Sequence, residues 1–277
     1  MKNNTLITKI TSVALIALLT FTQSCKKSDV GAAPAAATTT ASSTQTPTST
    51  VSSSHIDELT QFLKTSTGVE SVTYSAPAQE FTVDGDVVLP LSDVELQFAH
   101  KDDAQAPSGT QSVQQRKYTY LISRAKAPYI KIYADATVPA VWVAALDRSI
   151  ANWNAVNSLI HMTRVTTNVT GATLVTALNN GNNSIIATTY YPDYYGNNGK
   201  KCTINSYYNW LSAGQQTFAI THELGHAVGL THTNGTYGSI ITGSPVADPN
   251  SIMNSVCLNW TAFTTSDKVA IQTLYPR

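Results

Sequence analysis

Residues 222–232 read HELGHAVGLTH, and this pattern constrains the chain more than any other feature of its 277 residues. In a helix with about 3.6 residues per turn, His222 and His226 lie on one face, so both imidazoles can reach one metal ion. His232 lies too far along the chain to share that face, so the helix must end before it. Gly229 can supply the turn, because glycine adopts positive φ without a steric penalty. The pattern therefore predicts one metal site built from a helix and the loop that follows it.

Three imidazoles with one open position are typical of a catalytic zinc site, because structural zinc sites are closed by four protein ligands. Glu223 lies beside the first histidine and is not required as a ligand, so we interpret it as a general base. The alternative is a core helix whose histidines are only hydrogen-bonded. The five fixed positions coincide by chance in roughly one of 10⁵ to 10⁶ such sequences. The motif therefore predicts a zinc peptidase.

The motif, followed about twenty residues later by a methionine, resembles the metzincin clan of zinc peptidases. The HELGH core and the ending at 267–276 are similar to the bacterial HEIGH-type metallopeptidases, relatives of the matrixins. The similarity covers roughly residues 128–277, with a weaker echo at 81–86. The resemblance implies these roles: zinc ligation by His222, His226 and His232, catalysis by Glu223, and a turn beneath the metal at Met253.

The order of predicted elements fits the α+β fold that this resemblance implies. We expect a twisted, mixed five-stranded sheet with a backing helix at 139–156, the zinc helix at 215–229 and, after the Met-turn, a C-terminal helix at 265–275. The predicted strands are 129–134, 159–165, 173–178, 185–190 and 202–207. In this clan an edge strand pairs with the extended substrate, and the strand at 185–190 is the candidate.

Residues 55–127 form an N-terminal region ahead of the catalytic domain at 128–277. The sequence predicts a helix at 56–64 and strands at 80–83, 87–91, 94–98 and 117–123. The region is a propeptide, a separate binding module or packing for the catalytic domain. Latency through a cysteine is excluded, since residues 26–201 contain none. The acidic pair Asp102 and Asp103 is either a carboxylate switch or a solvated loop.

Residues 1–24 have the pattern of a bacterial export signal: two lysines, then an apolar run too short to span a bilayer. Cys25 follows a small residue, which resembles the lipobox of bacterial lipoproteins, although an ordinary cleaved signal is the alternative. The Ala-, Thr-, Ser- and Pro-rich stretch to residue 54 is typical of a flexible tether. We therefore expect an exported protein held at the membrane, in the cell envelope or at the cell surface, by a lipid on Cys25.

Cys202 and Cys257 would then be an even pair in an oxidising compartment. The sequence predicts a disulfide between them, close to the substrate groove, with two free thiols as the alternative.

Two sets of residues, one with oxygen-bearing side chains and one of tyrosines, each have two possible roles. Oxygen-bearing side chains in loops suit either calcium, which prefers such ligands, or turn formation. These residues are Asp193, Asn197, Asn198 and Asp248. Neighbouring tyrosines line the cleft or pack the sheet. These are Tyr190, Tyr191, Tyr194 and Tyr195.

The formal net charge is zero, with seventeen basic and seventeen acidic residues. Without a basic surface, nucleic acid is not an expected partner, and the expected partners are protein or peptide substrates. The leading hypothesis is a zinc endopeptidase. The alternatives are a zinc-binding surface lipoprotein that acts as a scaffold without turnover, and a peptidase that cuts only its own propeptide. Glu223 favours the enzyme, because zinc binding does not need it and hydrolysis does.

Overall fold

The computed structural model describes residues 51–67, 69–99, 101, 115–235, 237–244 and 248–277. The export signal, Cys25 and most of the tether lie outside these residues, as do Asp102 and Asp103. Within the described ranges, no helix is both long enough and apolar enough to cross a membrane.

The fold is a mixed α+β arrangement, as predicted, but its main sheet has eight strands instead of five. The strands are β1 (Val72–Ser75), β2 (Glu80–Val83), β3 (Val87–Pro90), β4 (Arg116–Lys117), β5 (Ile130–Ala134), β6 (Met162–Val165), β7 (Thr173–Leu178), β8 (Ala187–Tyr190), β9 (Lys201–Asn205), β10 (Leu230–Thr231) and β11 (Ser239–Ile240). The main sheet has the order β1-β2-β3-β8-β9-β7-β5-β6, and a small second sheet has the order β10-β4-β11. The five predicted strands are all present, and the extra three come from the N-terminal region.

Five α-helices accompany the sheets in the described part of the chain. They are α1 (Ser53–Thr67), α2 (Leu91–Ala99), α3 (Ala140–Ala155), α4 (Ala213–Ala227) and α5 (Thr265–Leu274). The predicted backing helix is α3, which follows Pro139 and buries Trp142, Leu146 and Trp153. Because these side chains recur at helical spacing, they form one apolar face. This face packs in the main core, which α3 shares with α4 and the sheet.

The helix α4 begins at a capping box. Ser212 accepts a hydrogen bond from the Gln215 amide, and the Gln215 side chain accepts one from the Ser212 amide. Two amide donors at the start of the helix are therefore satisfied without water. From Gln216 to its end the helix is buried. The cap thus fixes the start of the element that carries the metal-binding motif.

The strand predicted at 94–98 is wrong, because these residues belong to α2. Leu91 and Val94 are buried at a spacing of three residues, which is a helical spacing. Ser92 and Asp93 in the first turn are also typical of a helix N-terminus. The apolar content of the segment was therefore interpreted with the wrong period.

The N-terminal strands are hydrogen-bonded into the main sheet through β3, which runs parallel to β8. A second apolar core lies beneath them. Its members from the N-terminal region include Leu59, Phe81 and Val94, and the C-terminal half of the chain contributes Tyr191 and Tyr237. The two halves of the folded chain therefore share both a sheet and a core.

The structure differs from the prediction of a disulfide, because Cys202 and Cys257 are both free thiols. Burial and the nearby Glu223 carboxylate raise the pKa of the Cys202 thiol. The Cys257 thiol lies instead 3.6 Å from the carbonyl oxygen of Gln215. Gln215 and Glu223 are eight residues apart in α4, which is about 12 Å along the helix axis at 1.5 Å per residue. The two thiols are therefore placed near different turns of α4.

Candidate metal centre

Three buried imidazoles meet below the main sheet. His222 and His226 project from one face of α4, and His232 follows the short strand β10. Gly229 turns the chain between them with a φ of 98°, and its amide donates to the carbonyl of His226 at 2.9 Å. A side chain at this position would be strained by that φ and would also lie 2.7 Å from Leu121. The structure thus places the glycine where the sequence required a turn.

A hydrogen bond at Nδ1 orients each imidazole. His222 Nδ1 lies 2.7 Å from the carbonyl oxygen of Ile252, and His226 Nδ1 lies 2.9 Å from that of Leu230. His232 Nδ1 lies 2.8 Å from a carboxylate oxygen of Asp84. Since these oxygens can only accept, each Nδ1 carries the proton and each Nε2 offers a lone pair. Outer partners of this kind are what fix the tautomer of metal-ligating histidines.

Met253 is fully buried and lies next to α4. A methyl group added to Gly225 would lie 2.4 Å from the sulfur of Met253, so the helix and the turn are in direct contact there. The amide of Thr233 also donates to the Met253 carbonyl at 2.9 Å. The turn therefore supports both the helix and the loop that carries His232.

Asp267, in the first turn of α5, anchors the same turn from the other side. Its buried carboxylate accepts hydrogen bonds from Gln115, the Ser251 hydroxyl, and the amides of Ile252 and Thr264. Burial raises its pKa, and these donors oppose the shift. The Ile252 carbonyl in turn positions His222. Gln115, Ser251 and Ile252 lie 15 or more residues away in sequence, so no local pattern indicates this role of Asp267.

A fourth group that sequence reasoning missed completes the cluster. Asp86 Oδ2 lies 3.0 Å from Nε2 of His232, 3.7 Å from Nε2 of His222 and 3.9 Å from Nε2 of His226. Nε2 of His222 and Nε2 of His232 are 3.1 Å apart. Ligands of a tetrahedral site with Zn–N distances of 2.0–2.1 Å are about 3.3 Å apart. The ligand atoms of these four side chains all lie within 4.8 Å of one another, so the group could hold one metal ion.

Unpaired buried atoms also fit a zinc ion. Nε2 of His226, Oδ1 of Asp86 and Oε2 of Glu223 are buried without a hydrogen-bond partner. Two buried carboxylates are costly unless a cation compensates them, and Zn²⁺ would balance both charges. These three histidines and Asp86 are the one group of metal-binding side chains found among the described residues.

Asp84 and Asp86 reach the centre from the turn between β2 and β3. Asp84 and Gly85 have positive φ values of 56° and 91°, which tighten this turn. The backbone is held from both sides, since the amide of Asp84 donates to Ser71 and the amide of Thr189 donates to the Asp86 carbonyl. The residue types Asp and Gly are typical of such turns. The turn thus presents two carboxylates to the histidines from a fixed position.

Glu223 is buried beside this cluster. Burial, together with the charge of Asp86, raises the pKa of Glu223 well above its usual range. Burial alone would also raise the pKa of Asp86, but its contacts with the three histidines hold that pKa well below the usual range. The two carboxylates therefore have different surroundings, since Asp86 contacts the histidines and the buried Oε2 of Glu223 has no hydrogen-bond partner.

A cavity of about 450 Å³ opens beside the cluster. Its walls combine apolar side chains, including Ile186, Phe218 and Val256, with His222 and Glu223. Val256 belongs to the segment that follows Met253. A cavity with an apolar wall and a few converging polar groups is typical of a ligand site.

Residues 91–246, more than half of the chain, match the family model described as "Dual-action HEIGH metallo-peptidase". The chain belongs to the HEIGH metallopeptidase family. This confirms the predicted resemblance, and the three-histidine cluster of this HEIGH metallopeptidase supports zinc as its metal.

Solved structures give weaker similarities to this HEIGH metallopeptidase. Myroilysin is 17% identical, with a TM-score of 0.39 over 56% of this chain and 84% of the other. High choriolytic enzyme 1, a hatching-enzyme zinc protease of the medaka fish Oryzias latipes, is 14% identical, with a TM-score of 0.39 over 61% of this chain and 98% of the other. No curated protein sequence matches the chain. The family assignment therefore rests on the family model.

Other predicted features lie elsewhere. The groups considered for calcium bond to protein instead: Asp193 accepts from the amide and side chain of Asn197, and Asp248 accepts from Thr264. The structure thus gives calcium no support. Tyr190 and Tyr191 are buried, whereas Tyr194 and Tyr195 are exposed. The strand β8, expected to be a free edge for substrate, is paired on its outer side by β3.

Proposed function

We propose that this zinc metallopeptidase is an endopeptidase in which Glu223 is the general base. The observation that carries the proposal is the position of Glu223, whose buried Oε2 has no partner and lies beside three imidazoles that all offer Nε2. Zinc binding alone does not need a carboxylate there. A zinc-binding scaffold without turnover would leave it unexplained.

Zinc, when bound, polarises the substrate carbonyl and acidifies water near pH 7. The role of the protein is to orient the groups around it. His222, His226 and His232 hold the metal through Nε2, while Glu223 takes a proton from the attacking water and returns it to the departing amine. A raised pKa suits this exchange, since a base that never becomes protonated could not act later as the acid.

The shape of the cleft supports extended peptides as substrates. The apolar wall formed by Ile186, Phe218 and Val256 suits one apolar side chain next to the bond that is cut. Hydrogen bonds from the backbone of β8 would add affinity without demanding a particular sequence, once the side of β8 that β3 covers is free. A library of peptides that differ at one position tests this, and equal cleavage of acidic and apolar residues beside the cut would contradict it.

The decisive experiment compares the full chain with Glu223→Ala on unfolded casein, before and after limited trypsin treatment, with zinc measured in each sample. General acid–base catalysis contributes about 10²- to 10⁴-fold, so cleavage should fall by that factor while zinc content stays the same. A wild-type protein that holds zinc and never cleaves casein would favour the scaffold. Cleavage confined to its own chain would favour a peptidase that acts only on itself.

We also propose that the protein is exported and anchored through a lipid on Cys25, which rests on the sequence pattern of residues 1–25. The test is metabolic labelling with a fatty acid in a bacterial host, with Cys25→Ser as the control. Label on the wild type and its loss in the variant would support the anchor. Unlabelled wild-type protein in the medium would contradict it.

A further inference from the structure

The turn 84–86 occupies the position where substrate and water would have to reach the metal. We propose that Asp86 is the fourth zinc ligand of a latent enzyme, and that β3 at the same time covers the substrate-binding edge of β8. We call residues 80–90, with strands β2 and β3, the inhibitory arm. The proposal rests on the peptidase function given above and adds its regulation.

The first argument is the place of the Asp86 carboxylate. Its Oδ2 faces Nε2 of all three histidines at 3.0 to 3.9 Å, so it lies on the open side of the histidine cluster. A catalytic zinc site keeps this position for water or substrate, whereas a site with four protein ligands is closed. Asp86 therefore turns an open site into a closed one.

The second argument is that Asp86 is held there from both sides of its backbone. Its carbonyl accepts from the Thr189 amide at 2.8 Å, and the next residue, Val87, lies opposite Thr189 in the parallel pairing of β3 with β8. Asp84, two residues earlier, bonds to His232. The carboxylate is therefore placed by a sheet and not by a mobile side chain alone.

The third argument is that β3 uses the backbone groups that a peptide substrate would need. Val87 and Val88 lie opposite Thr189 and Tyr190, so the outer side of β8 is occupied next to the metal. The Tyr190 hydroxyl also donates to the carboxylate of Glu80 on β2. Metal and strand edge are thus blocked by the same eleven-residue segment, residues 80–90.

The arm is anchored in the second core, which limits how it can leave. Phe81, Val83 and Leu89 of the arm are fully or almost fully buried in that core. Gln97 of α2 adds a hydrogen bond of 2.6 Å to the Tyr118 hydroxyl. Opening the site therefore requires most of the N-terminal region to detach, which a cut in the chain would permit and a local fluctuation would not.

The test uses the full chain with Co²⁺ in the metal site, as wild type, Asp86→Asn and the control Glu70→Gln. Glu70 is a carboxylate of the same region whose side chain is 93% exposed, so the control removes one surface charge that is not part of the metal cluster. The visible absorption of Co²⁺ reports its ligands, and acetohydroxamate is the probe for an open position. A fluorogenic peptide reports cleavage.

Wild type and Glu70→Gln should share one spectrum that acetohydroxamate barely alters. Asp86→Asn should keep Co²⁺, change its spectrum and bind acetohydroxamate at least about tenfold more tightly, because a tethered ligand competes at an effective concentration in the millimolar range. Peptide cleavage should stay low in all three full-length proteins, because β3 still covers β8. Limited proteolysis of the wild type that removes the N-terminal region should change the Co²⁺ spectrum, tighten acetohydroxamate binding and raise peptide cleavage by at least about tenfold, even if the variant fails to fold.

Two results would overturn the proposal. Acetohydroxamate binding to the wild type as tightly as to Asp86→Asn would show that Asp86 does not close the site. Loss of Co²⁺ from Asp86→Asn would make the carboxylate a permanent ligand and not a removable one. Tighter acetohydroxamate binding after proteolysis without any peptide cleavage would leave the closed site standing and reject the peptidase function instead.

Discussion

The metal centre is assembled from two regions that differ in how the sequence encodes them. The zinc helix and its loop supply His222, His226 and His232 within eleven residues, in a spacing fixed by helix geometry. The inhibitory arm supplies Asp86 from a turn far upstream, and Asp84 reaches His232 across 148 residues. Local periodicity is therefore enough to reveal the first set, whereas the second exists only once the sheet has formed. This difference distinguishes the three histidines, which are permanent ligands of the metal, from Asp86, which can leave it.

The largest effect should come from removing a histidine. Zinc in sites with four protein ligands contributes about 10–16 kcal/mol, so His226→Ala should cost about 3 kcal/mol of metal affinity, or more than 100-fold. Asp86→Asn should cost less than tenfold, because three imidazoles remain. Competition with a chelator measures both. His161→Ala, at an exposed position, is the control, and equal losses from His226→Ala and Asp86→Asn would erase the distinction between the two regions.

Asp267→Ala tests the support beneath the histidines. The substitution removes the acceptor of the Ile252 and Thr264 amides and of one of the two hydrogen bonds that Gln115 Nε2 donates, so the free energy of unfolding should fall by about 2–3 kcal/mol. Urea unfolding of the metal-free protein measures this, with Lys268→Ala, at an exposed position of the same helix, as control. If Asp267→Ala unfolded at the same urea concentration as the wild type, Asp267 would not support the structure beneath the histidines.

Gly225→Ala tests the contact between the zinc helix and the Met-turn. The added methyl group would lie 2.4 Å from the Met253 sulfur, so one of the two must move. Displacement of an outer support typically costs about 10- to 100-fold in metal affinity. Gly214→Ala, on the same helix, is a matched control because its methyl group meets the flexible end of Asn259. Equal zinc affinity in both variants would contradict a role for the turn.

Asp84→Asn should have the smallest effect on zinc affinity. The size of this effect should depend on whether the N-terminal region is still attached. The amide can still accept from His232 but lacks the negative charge, so zinc affinity of the intact chain should fall by about tenfold or less. After removal of the N-terminal region the variant and the wild type should be identical. Asp57→Asn, on the exposed face of α1, is the control. A difference that persists after removal would argue that Asp84 acts elsewhere.

Most of the catalytic half could be predicted because its signals are local. The strand at 173–178 was predicted with the bounds of β7, and the backing helix differs from α3 by one residue at each end. Trp142, Leu146 and Trp153 recur at the helical period, so the interpretation had a clear physical basis. The C-terminal helix was also confirmed, and Thr264 caps its N-terminus.

The N-terminal region was harder to predict because its structure depends on distant partners. The similarity at residues 81–86 was visible in the sequence. Asp86, however, precedes His222 by 136 residues, and no local sequence rule predicts that the two side chains meet at one metal. The covered edge of β8 had no signal at all, since parallel pairing carries no sequence pattern across such a distance. The disulfide was expected from an even cysteine count. Such a count carries no information on position, and the two thiols lie near different turns of α4.

The pairing of β3 with β8 also bears on the solubility of the protein. An open strand edge is a template for pairing with other chains, and natural proteins cover or charge such edges. Loss of the inhibitory arm would uncover β8 together with the stacked rings of Tyr118 and Tyr191, whose centroids are 4.1 Å apart. The activated enzyme would therefore expose an aggregation-prone strand edge and aromatic rings that the latent chain keeps covered. Activation close to the substrate would limit this aggregation.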